Sequence, residues 1–240
     1  MGVVLTLFWH WPGDISQQPP GFAVQARLRD ILSGIAGLRE ALIFTPAQAR
    51  DIYTHDGVSP PLGLQLEFLD IRALEAAAGE GGALQALFHP GVLGGALEPA
   101  LGEAQAFLRR NYPVETPVHG PGADPCSFVV HYPGKAQDAN AWLAHYIEGH
   151  VPLMQRMPGV RAVEVLTPAE WVGRLPIRKA THMQRNRILF DSPAALTAAL
   201  QSPIRHELRA DFERLPPFDG GSCHHAMSTE TVPLGRTANQ

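Results

Sequence analysis

Along the second half of the chain, apolar positions change period from one segment to the next and so mark out its elements. From Cys126 to Tyr132 the residues Cys126, Phe128, Val130 and Tyr132 fall at every second position, the period of a strand with one buried face. Asp138 can cap a helix, and helical spacing then runs from 139 to 150 until Pro152 and Pro158-Gly159 interrupt it. Residues 160–166 and 185–190 read as strands. Asp191-Ser192-Pro193 is a helix start with proline near the first helical position. It leads into helical segments at 194–201 and 203–214, and 223–232 reads as the last strand. The tail, 235–240, is expected to be loose.

The same order, β-α-β-β-α-β, is expected in the first half because the chain repeats itself. His10-Trp11-Pro12-Gly13 matches His131-Tyr132-Pro133-Gly134, 121 residues later. Gly37-Leu38-Arg39 through Thr45-Pro46-Ala47 matches Gly159-Val160-Arg161 through Thr167-Pro168-Ala169, at an offset of 122. Residues 66–70 match 188–191, with Asp70 lying 121 before Asp191. Prolines at 113, 117, 121 and 125, with Gly120 and Gly122, suit an extended linker between the copies. The chain therefore divides into 1–114, a linker at 115–125, and 126–240. A four-stranded sheet with helices on one face leaves its other face bare, and two such sheets can bury those faces against each other. The predicted fold is α+β: two tandem ferredoxin-like repeats closing a barrel within one chain.

Composition narrows the function. Of the 240 residues, 45% are hydrophobic and 18% charged, which excludes global disorder. The net charge is −4 and no block of like charge occurs, so a nucleic-acid partner has no electrostatic support. A membrane span needs roughly 20 consecutive apolar residues; the stretch 3–11 is half that length and contains His10. It also lacks the basic start and cleavage site of a signal peptide. Met1-Gly2 with Thr6 has the form of a myristoylation signal, but Val3-Val4-Leu5 reads better as a buried strand start. Two cysteines, Cys126 and Cys223, cannot build a disulfide framework or a cysteine zinc site. A reducing, cytoplasmic setting is expected.

The candidate chemistry sits on the helix after the fifth strand. Ala139, Leu143, Tyr146 and His150 share one stripe, with Trp142 and His145 on its flank. A histidine near a helix end and partly shielded from water suits a general acid or base. The competing role for His150 is to end the helix by donating to its last carbonyls, with Tyr146 as core. Strand alternation puts His131 and Tyr132 on opposite faces and leaves open which one faces the barrel interior. His224 and His225 likewise point to opposite faces and cannot chelate one ion side by side, so no metal site is expected. Ser222-Cys223-His224 lacks a Gly-x-Ser-x-Gly elbow. The glycines at 79–82 and 91–102 read as turns rather than phosphate loops. Arg178, Lys179, Arg185 and Arg187 read as a small solvated basic patch.

The segment from Phe128-Val129-Val130-His131-Tyr132-Pro133-Gly134 through Asp138, Trp142, His145-Tyr146, His150-Val151-Pro152-Leu153 and Pro158-Gly159-Val160 resembles the EthD-like family of the dimeric α+β barrel superfamily. The resemblance covers 126–235 and reaches the first half only through the repeat. There, Ala23 or Val24 stands in the place of His145, and Leu28 or Arg29 in that of His150. The first copy therefore reads as a structural partner and the pocket as belonging to the second. The resemblance implies a small hydrophobic or aromatic ligand. The resulting expectation is a cofactor-independent isomerase, lyase or oxygenase acting on an aromatic or lactone-like metabolite. His150, Tyr146 and His145 are its catalytic candidates, and His131, Tyr132, Trp142 and His225 line its pocket. A binding protein without turnover is the alternative, and haem held by one histidine, as in sister families, is a third. The chain is expected as a monomer with an internal pseudo-dimer, or as a homodimer.

Overall fold

The computed structural model describes residues 2–13, 19–94, 97–117 and 124–235. Part of the expected linker, 118–123, and the tail from 236 lie outside the described residues. In chain order come β1 (Gly2–Trp9), α1 (Phe22–Ser33), β2 (Leu38–Pro46), β3 (Leu62–Phe68), α2 (Ile71–Ala78) and β4 (Gly102–Tyr112). Then follow β5 (Cys126–Tyr132), α3 (Ala139–His145), a π turn (Tyr146–His150), α4 (Val151–Gln155) and β6 (Val160–Pro168). The chain continues with β7 (Arg178–Lys179), β8 (Gln184–Phe190), α5 (Pro193–Leu200), α6 (Ile204–Phe212) and β9 (Cys223–Thr231).

The fold is α+β, built on a closed antiparallel barrel in the order β1-β3-β2-β9-β5-β8-β6-β4 and back to β1; the two-residue β7 runs parallel to β4 outside the ring. Two seams join strands from the two halves. One pairs Leu42 with Thr231 through Pro46 with Met227, the other Phe107 with Pro168 through Tyr112 with Val163. Closure leaves no unpaired sheet edge in the ring, which a four-stranded half alone would expose.

Strand alternation sorts the side chains into two environments. Outward positions meet helices: Leu5, Leu7 and Trp9 of β1 join Leu28 and Leu32 of α1, while Cys126, Phe128, Val130 and Tyr132 join Met154 and Leu208 in the second half. Inward positions fill the barrel. Phe8, Leu42, Phe44, Val129 and Met227 form an apolar plug, and buried ion pairs flank it. Arg185 donates to Glu103 at 2.5 Å, and Arg187 donates to Glu164 at 2.9 Å.

Those pairs correct the expectation that Arg185 and Arg187 sit in a solvated patch. Once Asn186, Ile188 and Phe190 face the helices, the period of two turns residues 185 and 187 inward. Buried charge then requires a paired partner, and each arginine has one.

Local signals worked where the chemistry was local. Asp138 accepts from the Ala141 amide and Ser192 from the Ala195 amide, capping α3 and α5. Pro152 does not end its helix. The chain widens into the π turn just upstream and resumes as α4 with Pro152 in its first turn, where a missing N–H costs nothing. Among the described residues, no helix is long and apolar enough to cross a membrane.

Candidate active site

Between the outer face of the second-half sheet and its helices lies a cavity of about 350 Å³, at the lower end of the ~300–1,000 Å³ common for small-molecule sites. Phe128, Val130 and Tyr132 of β5 and Ile188 of β8 form its floor. Tyr146, His150, Met154 and Leu208 form its helical walls. The π turn shapes this wall. Trp142, Tyr146 and His150 are spaced by four residues, and the wide turn keeps them stacked. The rings of Trp142 and Tyr146 are 5.0 Å apart, and those of Tyr146 and His150 are 4.8 Å apart. Such π turns recur at functional sites.

His150 is buried, and its Nδ1 lies 2.9 Å from Oδ2 of Asp211 on α6. Its Nε2 makes no hydrogen bond to any described residue, and the side chain borders the cavity. Burial pushes the imidazole down to about 4, against the opposing pull of Asp211, so the ring is neutral at pH 7. Desolvation pulls the other way on Asp211, but the hydrogen bonds from His150 and His145 keep it below the usual carboxylate range. A neutral ring beside an ionised carboxylate can take a proton on Nε2, and the carboxylate then stabilises the imidazolium. Gly149 permits this closeness: a Cβ there would stand 3.2 Å from Oδ1 of Asp211.

Two tyrosines supply hydroxyls. The Tyr132 hydroxyl donates to that of Tyr146 at 3.3 Å, and Asn186 donates to Tyr146 at 2.5 Å. Burial raises both phenols, leaving them protonated. The first half also contributes a wall, from Tyr53, Thr54, His55 and Asp56. That loop is held by Asp51 pairing with Arg205 at 2.7 Å and by Asp56 meeting His224 at 2.6 Å. The first half of the chain thus supplies part of this cavity's lining.

The structure brings three of the expected residues, His150, Tyr146 and Tyr132, to one cavity. His145 stands behind it, 3.2 Å from the other oxygen of Asp211, and Trp142 is packed behind Tyr146. His131 and His225 are elsewhere. Both face the barrel interior, on the opposite side of the sheet, their rings 5.3 Å apart. Asp211, Asn186 and Arg205 were not anticipated. Arg205 and Asp211 share the buried side of α6 with Ile204 and Leu208, so each is a charged residue at a position the helical period gives to the core.

No family model matches the chain, and no curated protein matches it. Solved structures do. An anthrone oxidase-like protein is similar with a TM-score of 0.61 and 16% identity, over 99% of this chain and 96% of that one. A candidate monooxygenase of Fusobacterium nucleatum subsp. nucleatum gives a TM-score of 0.59 and 9% identity, over 98% and 95%. Another, of Lactobacillus acidophilus, gives 0.51 and 10%, over 98% and 97%. At these identities the likeness is one of fold: the chain is an α+β barrel protein.

Proposed function

We propose that this chain is an EthD-like member of the α+β barrel superfamily, formed as a tandem of two ferredoxin-like units, and that it oxygenates a small phenolic aromatic without a bound cofactor. The observation that carries this reading is the His150–Asp211 pair, with Nε2 of His150 bonded to no described residue on the wall of a cavity that mixes aromatic, aliphatic and polar side chains. The names of the similar structures, monooxygenase and anthrone oxidase-like, support the reaction class.

In this reading His150 removes a proton from an activated ring methylene and Asp211 holds the imidazolium. The carbanion passes electrons to dioxygen. A methylene oxidised to a carbonyl loses two hydrogens and gains one oxygen atom, and the second oxygen leaves as water. The Tyr146 hydroxyl, held by Asn186 and Tyr132, orients the substrate oxygen, while Phe128, Met154 and Leu208 keep water from the carbanion.

The test is oxygen uptake with anthrone as the first probe, followed by a panel of phenols. Expected are equimolar consumption of oxygen and anthrone by the native chain, and a loss of 10²–10⁴-fold in His150→Gln, the range for a general base. Tight binding without turnover by the native chain would instead establish a carrier. Retained turnover in His150→Gln would remove the base assigned here.

A further inference from the structure

The barrel interior holds a second cluster that the cavity does not use. Glu103 of β4, His131 of β5 and His182, just before β8, each present one ligand atom, and these atoms all lie within 4.8 Å of one another. The cluster sits on the opposite face of the sheet from His150. Glu103 and His131 are buried, at 1% and 3% exposure.

Its hydrogen bonding is incomplete. Among the described residues, His131 Nε2 and His182 Nδ1 are buried without a hydrogen-bond partner, and so is Nδ1 of His225, whose ring is 5.3 Å from that of His131. An unmade bond at a buried polar atom costs on the order of 1–3 kcal/mol. These nitrogens belong to neighbouring rings, with His131 5.4 Å from His182 and 5.3 Å from His225 between centroids, and apolar side chains would fill the same space without that cost. Glu103 is ionised and oriented by Arg185 and His182 on one oxygen and by Arg178 and His10 on the other.

We propose that Glu103, His131 and His182 form a binding site for a first-row divalent transition-metal ion. Two imidazoles and one carboxylate are the donor set such ions prefer, and Ca²⁺ or Mg²⁺ would demand more oxygen. The ion takes the place of the proton between His182 Nε2 and Glu103, which lie 2.7 Å apart. Three protein ligands leave coordination positions open for water. Entry runs past His10 and Arg178, whose side chains are 50% and 63% exposed. The two arginines on Glu103 oppose the added charge, so the affinity expected is moderate rather than that of a structural zinc site.

The test uses the full chain without a tag, stripped with a chelator and titrated separately with Zn²⁺ and Co²⁺. Expected are one ion per chain by elemental analysis, visible d–d absorption from Co²⁺, and a higher Tm with Zn²⁺. His182→Gln should weaken binding at least tenfold; its site on a connecting segment outside the strands leaves the barrel strands intact. Glu103→Gln should do the same if it folds. His150→Gln should bind the ion as the native chain does. No stoichiometric binding, equal affinity in His182→Gln, or loss of binding in His150→Gln would each overturn the proposal. None of these outcomes depends on the oxygenase reading.

Discussion

Each half of the barrel presses helices onto the outer face of its own strands, and the two resulting layers differ in what they enclose. In the first half, Leu28 and Leu32 of α1, Leu74 of α2, and Leu84 and Leu87 close on Leu5, Leu7, Leu64 and Leu66. Among the described residues, the buried polar side chains that lie between sheet and helices are His150, Gln184, Asn186, Arg205 and Asp211, all in the second half. Among the described residues the first layer is packed almost wholly from apolar side chains, and the second encloses a cavity. One architecture thus packs apolar side chains on one side and encloses a partly polar cavity on the other. Apolar filling favours stability, and a cavity with buried polar groups gives some of it up.

The sharpest break of that comparison is His150→Gln, expected to lower kcat by 10²–10⁴-fold while moving Tm by only a few degrees. Oxygen uptake and a thermal melt on the same sample check it. Next in size is the reverse case. Leu28→Ala in the solid layer should cost about 2–5 kcal/mol with little effect on kcat per folded molecule. Leu208→Ala, on the cavity wall, should cost at least 1 kcal/mol less, because part of its surroundings is already empty. Urea titrations of the two variants decide this.

Acid should separate the layers too. His150 titrates near 4 when folded, below the ordinary imidazole value of 6.5. The unfolded chain therefore takes up protons first, and the stabilisation is complete above pH 6.5 and lost as pH falls toward 4. Over that window the contribution is about 3 kcal/mol. His150→Gln should make this part of the stability profile shallower by about one proton, the rest of the slope belonging to His131, His182 and His225, which burial also holds below the usual imidazole value, whereas Leu28→Ala should shift the whole curve without changing its slope. The native rate should hold steady down to about pH 5 and fall below it as His150 protonates.

The smallest effect is expected from Gly149→Ala. Its methyl group would crowd Asp211, so a loss of about tenfold in kcat with an unchanged KM is expected from a displaced dyad. A KM that rises while kcat holds would place the role of Gly149 in binding instead.

Much of this was legible in the residues themselves. The alternation through β5, the caps at Asp138 and Ser192, and the barrel's α+β class follow from local periods and local hydrogen bonds. His150, Tyr146 and Tyr132 could be singled out because they lie within one strand-helix segment. Asp211 lies 61 residues from His150, and no local period relates them. Glu103 and His182 are 79 apart and belong to different halves, so nothing short of the β4–β6 seam brings them into one chamber. The arginines at 185 and 187 failed for a related reason. They lie two apart in one strand, and whether their face meets water depends on the barrel closing with strands far away in the chain.

By itself, then, the amino-acid order determined most of the elements, the α+β class, the matching segments at an offset of 121 to 122 residues, and the segment that carries His150. These depend on interactions between near neighbours, which spacing records. Tertiary structure alone decided which face of each strand is dry, that His131 and His225 turn away from His150, and which carboxylate meets each imidazole. Those outcomes depend on barrel closure, where contacts form between residues whose separation along the chain carries no physical signal.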